Sequence, residues 1–104
     1  MAIIYHVTTE KEWEAAKAKG FYTAPSLDTE GFIHCSEASQ VKGVLERYFA
    51  GKKNLVKLVV DTSELTAELK YERAPSVNED FPHVYGAINL DAVVALEPIG
   101  SLNI

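Results

Sequence analysis

The stretch AIIYHVTTEKEWEAAKAKG, residues 2–20, sets how the rest of the chain is read. Ala2 to Val7 is apolar, β-branched or aromatic, which is the composition of a strand. Thr9 then opens a helix. Thr9 and Glu12 stand at capping-box spacing, where each side chain can satisfy a backbone N–H at a helix start. The helix is expected to run to about Lys19, and Gly20 suits the left-handed position just past a helix end. Trp13 and Ala16 mark a thin inner stripe.

The same alternation of strand and helix continues outward. Phe21 to Ala24 reads as a short extended piece and Pro25 to Gly31 as turns. Phe32 to Cys35 reads as a second strand, and Ser36 can cap a helix from about Glu37 to Ala50. Val41, Val44, Leu45, Tyr48 and Phe49 fall at i, i+3, i+4, i+7 and i+8, a full helical face, and Gly51 closes it. Leu55 to Val60 is nearly all apolar and predicts a central strand buried on both faces. Asp61 to Ser63 makes a turn. Leu69, Tyr71 and Arg73 alternate with Lys70 and Glu72, as in a half-exposed strand, and Ala74 to Asp80 is a loop. Phe81 to Gly86 is irregular and extended, and Ile88 to Leu90 and Val93 to Glu97 are further strands. Pro98 ends the last one or places it at an edge. The expected class is α+β, with helices segregated from a mainly antiparallel sheet.

At 104 residues the chain fits one domain, residues 1–104, and can bury roughly 65% of its unfolded surface. Apolar residues at 47% and charged residues at 24% belong to an ordinary globular protein. The net charge of −5 lacks the basic footprint of a general nucleic-acid binder, so RNA is not an expected partner. The densest basic spot, Lys52-Lys53 beside Arg47, reads as solvated charge at a helix end. A single cysteine, Cys35, forms no internal disulfide and no thiolate cluster, which favours a reducing compartment. The N-terminus does not read as a signal peptide, and no apolar run approaches the roughly 20 residues of a membrane helix. The expected location is the cytoplasm, with no membrane partner.

Each histidine is followed two residues later by a hydroxyl: His6-Val7-Thr8, His34-Cys35-Ser36 and His83-Val84-Tyr85. Residues i and i+2 of a strand share a face, so each motif can present imidazole and hydroxyl together. That pairing suits a sugar diol, a phosphate or a carbonyl, and imidazole can move protons near neutral pH. For any one histidine, a hydrogen-bonded core role is the commoner outcome. Three histidines could also bind zinc, but none has the i, i+4 spacing of a helical zinc site, and no metal is expected. Cys35 should point away from His34 and Ser36 as a small buried apolar residue. Glu72 is either a functional carboxylate or the polar side of its strand. Gln40, one turn into the second helix, either reaches the pocket or faces solvent.

Tyr5-His6-Val7-Thr8, Trp13, Gly31-Phe32-Ile33-His34-Cys35-Ser36, Gln40, Glu72 and Phe81-Pro82-His83-Val84-Tyr85-Gly86 together resemble the bacterial domain of unknown function numbered 952. The resemblance spans nearly the whole chain. It implies an ADP-ribosyltransferase-like fold: split antiparallel sheets, two main helices and a central cleft. The first half is similar to RNA 2′-phosphotransferases, which carry a Tyr-His-Gly-Thr strand and a later Val-His-Leu-Ser strand. Tyr5, His6 and Thr8 match the first, and His34 and Ser36 match the second.

The resemblance implies NAD or a related nucleotide as ligand and substrate. His6 and Thr8 would hold a ribose, His34 and Ser36 would orient the base or nicotinamide amide, and Gln40 would extend the same pocket. Glu72 would be the carboxylate that favours an oxocarbenium-like transition state. His83 and Tyr85 would close the pocket, with His83 a proton carrier. Val7 replaces the glycine of the His-Gly-Thr motif, and the only arginines, Arg47 and Arg73, lie outside any matching motif. These departures argue against RNA 2′-phosphotransfer. ADP-ribosyl transfer is therefore one expectation. A non-catalytic binding module for a nucleotide or other small metabolite is a second, and a zinc-dependent hydrolase a third.

Overall fold

The computed structural model describes residues 2–100. Strand β1 (Ile3–Thr9) runs straight into helix α1 (Glu10–Lys19). Thr9 is the N-cap, its hydroxyl oxygen accepting the Glu12 backbone N–H at 3.1 Å. Gly20 ends the helix at φ 94°, a left-handed conformation that a Cβ would make costly. Half of the capping box is spent elsewhere. The Glu12 carboxylate accepts the Thr8 and Thr9 hydroxyls, at 3.0 and 3.2 Å, instead of reaching back to the Thr9 backbone.

The chain continues through β2 (Phe21–Tyr22), α2 (Pro25–Thr29) and β3 (Ile33–His34). A 3-10 turn at Ala38–Gln40 leads into α3 (Val41–Tyr48). Then come β4 (Leu55–Asp61), β5 (Glu68–Ala74), β6 (Glu79–Tyr85), β7 (Ile88–Asn89) and β8 (Val93–Gly100). The strands form three antiparallel sheets, ordered β1-β4-β8, β2-β7 and β3-β6-β5. The fold is thus α+β with few helices. β4 is central in its sheet and buries Leu55, Val56, Leu58, Val60 and Asp61, as its apolar run predicts. Pro98 sits in the edge strand β8, where a missing N–H costs no ladder bond on the open side.

One core joins the three sheets. Ile4, Leu58 and Val60 pack with Tyr22 and Ile88 of the second sheet and with Ile33 and Val84 of the third. Burying each such aliphatic side chain contributes about 1.5–3 kcal/mol. No helix among the described residues is long and apolar enough to cross a membrane.

Three segments depart from the sequence expectations. Glu79 and Asp80, expected in a loop, begin β6, which is regular and not irregular because it pairs without a break from Ala74↔Glu79 to Glu68↔Tyr85. Pro25–Thr29 is a short helix and not plain turn, because Pro25 supplies a fixed φ at the first helical turn and needs no N–H partner there. The second helix starts later than Glu37 and is not capped by Ser36. Ser36 exchanges both backbone bonds with Tyr5, at 2.7 and 2.8 Å, which leaves the cap to Glu37. Glu37 and Gln40 form a reciprocal capping box over the 3-10 turn. The apolar face of α3 is also less buried than its periodicity suggests. Only Val41 is buried, Val44, Leu45 and Phe49 are half-buried, and Tyr48 is 63% exposed. This face covers a cavity instead of packing into the core.

Candidate functional site: a histidine-lined cavity

The short strand β3 brings the histidine motifs together. Ile33 and His34 pair with Val84 and His83 of β6, while Ser36 bridges to Tyr5 of β1. β3 thereby lies between the two other histidine-bearing strands. The imidazoles of His34 and His83 meet edge to face, with centroids 5.1 Å apart. Beside them is a cavity of about 590 Å³, whose walls include His6, His34, Ser36 and His83. Val44, Tyr48 and Phe49 of α3 close one side of it.

The three imidazoles have different surroundings. His6 is buried and both its ring nitrogens are engaged. Nδ1 donates to the His34 carbonyl at 2.6 Å, and Nε2 lies 2.7 Å from the Tyr22 hydroxyl. Tyr22 in turn meets the Thr8 hydroxyl at 3.0 Å, and Thr8 reaches Glu12. Burial dominates here and pushes the His6 pKa down to about 4, so the ring is neutral at pH 7. Burial likewise raises the Tyr22 hydroxyl well above its ordinary value.

His83 is held from one side only. Its Nδ1 donates to Glu72 Oε1 at 2.7 Å, and Tyr85 donates its hydroxyl to the same oxygen at 2.5 Å. The Tyr85 bond, followed by the His83 bond, lowers the Glu72 pKa, while the same contact raises that of Tyr85. An ionised Glu72 fixes the proton on Nδ1 and leaves Nε2 as the lone-pair nitrogen of the neutral ring. Nε2 has no hydrogen-bond partner among the described residues. The Phe32 ring stacks on His83 at 4.1 Å and 15°. His34 is exposed at the rim, and its Nε2 contacts Glu30 Oε2 at 3.0 Å, a pair that solvent weakens.

Of the residues singled out from sequence, His6, His34, Ser36 and His83 line the cavity. Thr8 does not, because its hydroxyl is turned to Tyr22 and Glu12. Glu72 and Tyr85 stand behind His83 and reach the cavity through it. Gln40 is outside the lining. Its amide oxygen caps Glu37, and its nitrogen binds Glu79 and the Asp80 carbonyl, tying the 3-10 turn to β6. Cys35 is buried, and burial pushes its thiol up to about 12, too high for a thiolate nucleophile at neutral pH.

The zinc reading finds no ligand set. Among the described residues no three His, Cys, Asp or Glu side chains are grouped to hold a metal, and His6 has no free nitrogen. Sequence reasoning missed the partner of His6, Tyr22, because nothing local marks a lone tyrosine as the end of a buried chain. It also set aside Arg47 and Arg73, which both line the cavity. For Arg47 a signal existed: it lies three residues beyond Val44 and next to Tyr48, on the face now seen over the cavity.

No curated protein matches the chain. The crystal structure of protein CC0527 from Caulobacter crescentus is similar over 93% of this chain and 85% of that one, at 32% identity and a TM-score of 0.85. The solution NMR structure of CC0527 covers 96% of this chain and 86% of that one, at 32% identity and a TM-score of 0.81. The family model described as "Protein of unknown function (DUF952)" matches residues 7–96, and the chain belongs to that family.

Proposed function

We propose that the cavity binds a nucleotide of the NAD class, and that the fold is ADP-ribosyltransferase-like with the histidine-lined cavity as its cleft. The observation that carries this reading is the placement of His83. It lines a cavity of nucleotide size, with its tautomer set by Glu72 and its Nε2 unpartnered among the described residues. In an ADP-ribosyl transfer the nicotinamide–ribose bond breaks, and nicotinamide leaves neutral with the bonding electrons. The acceptor forms the new bond to the ribose carbon and loses a proton, which His83 Nε2 would take. Glu72 holds the ring and offsets the imidazolium charge, as an orienting carboxylate does for a catalytic base.

A second reading, binding without transfer, is favoured by two observations. Both nitrogens of His6 are occupied, so neither can clamp a ribose, and Glu72 stands outside the cavity lining. Titration calorimetry with NAD, ADP-ribose and AMP, together with an assay for released nicotinamide, separates the two. The transferase reading expects saturable binding, an affinity loss of about tenfold or more in His83→Ala, and nicotinamide release that this variant abolishes. Binding with no release leaves the binding module. No binding by wild type at millimolar ligand rejects both.

A further inference from the structure

The chain has two arginines, and both line the cavity: Arg47 from α3 and Arg73 from β5. The lining carries a single carboxylate residue, Glu30, although the whole chain has a net charge of −5. The lining itself carries two arginines against one carboxylate, and with Asp80 paired to Arg73 the cationic group left without a carboxylate partner among the described residues is Arg47. Arg73 is held at two of its three nitrogens, which leaves Nη2 as the donor without a partner among the described residues. Its Nε meets Asp80 at 3.1 Å and its Nη1 meets Asn78 at 3.3 Å, both at the surface. Arg47 has no carboxylate within 4.0 Å among the described residues, and its nearest aromatic partner is the ring of Tyr48, 5.7 Å from Cζ.

The Arg47 guanidinium lies back over Gly43, where a Cβ would stand 2.9 Å from Nη1, and as the end of a flexible, exposed side chain it is free to swing toward the cavity.

We infer that Arg47 and Arg73 form a two-armed clamp for the phosphate groups of a phosphorylated ligand. The inference rests on the reading of this cavity as a ligand site and names the anionic part of what it takes. Two planar forks from separate elements suit a phosphate or pyrophosphate, whose several oxygens can engage both. A lone carboxylate fills one fork only.

The test follows the arginine Nε–H signals by NMR while inorganic pyrophosphate is added to wild type, Arg47→Lys and Arg73→Lys. AMP and adenosine are titrated in parallel. The clamp predicts saturable shifts at both arginines and an affinity loss of about tenfold in each lysine variant, which keeps charge but lacks the fork. Pyrophosphate binding without any AMP or adenosine binding upholds the clamp and ends the nucleotide reading. Adenosine binding without arginine shifts from pyrophosphate keeps the nucleotide reading and overturns the clamp.

Discussion

β1 and β6 carry the same local pattern, a histidine and then a hydroxyl two residues on, yet the fold uses the two in opposite ways. In β1, His6 sits among Tyr22, Thr8 and the His34 carbonyl with every polar atom of its ring engaged. In β6, His83 has one nitrogen fixed by Glu72 and the other, beside the cavity, unpartnered among the described residues. The difference comes from what each strand packs against. β1 lies between β4 and the bridge to Ser36, with Tyr22 closing over it, whereas β6 pairs with the half-exposed β5 and the very short β3. A local motif supplies the chemical groups, and the number of free nitrogens depends on the neighbouring strands.

If that contrast holds, the largest effect belongs to His6→Ala. It leaves the Tyr22 hydroxyl with Thr8 as its one partner, removes the side-chain partner of the His34 carbonyl and opens a cavity, at a cost of about 3 kcal/mol. Urea denaturation should show this as a lower midpoint at unchanged slope. A melting point within a degree or two of wild type would show that the buried chain contributes nothing.

The pH dependence of stability is next in size. The His6 pKa falls from 6.5 in the unfolded chain to about 4 when folded, so between these values the unfolded state binds a proton that the folded state does not. This contribution is full above pH 6.5 and is lost as pH falls toward 4, a difference of about 3 kcal/mol. The lowered Glu72 pKa acts in the same direction, but only below its ordinary value of 4.5. The slope between pH 4.5 and 6.5 therefore reports on His6, and His6→Gln should flatten it.

Tyr22→Phe removes the shared hydroxyl while keeping the ring, and should cost about 1–2 kcal/mol in the same denaturation experiment. His83→Ala sharpens the comparison from the other side. It should cost about 1 kcal/mol of stability, yet weaken ligand binding by about tenfold or more. Glu72→Gln should lower the melting point only slightly and lower nicotinamide release several-fold. If it lowers the melting point but spares activity, Glu72 is a structural residue.

Much of the fold is legible because its signals are local. The Thr9 cap, the Gly20 stop and the apolar run of β4 each act within a few residues. What stays hidden depends on distant parts of the chain. The start of α3 moves because Ser36 is committed to Tyr5, 31 residues away in sequence. The apolar periodicity of α3 is real, but its face covers a cavity, and periodicity does not distinguish a cavity wall from a core. The site is legible to the same degree. The three histidine motifs name the residues that β3 brings together, but the buried partner of His6 and the two cavity arginines follow from strand order and helix placement.

The central claim is that His83 faces a ligand while His6 holds the fold. Long-range nitrogen NMR of the three imidazoles, with and without ADP-ribose, tests it directly. The account predicts that the His6 signals stay those of a neutral ring protonated on Nδ1 from pH 8 down to 5 and do not move with ligand, while the His83 signals shift saturably. A His6 ring that titrates near 6.5, or that shifts with ligand while His83 is silent, would contradict it.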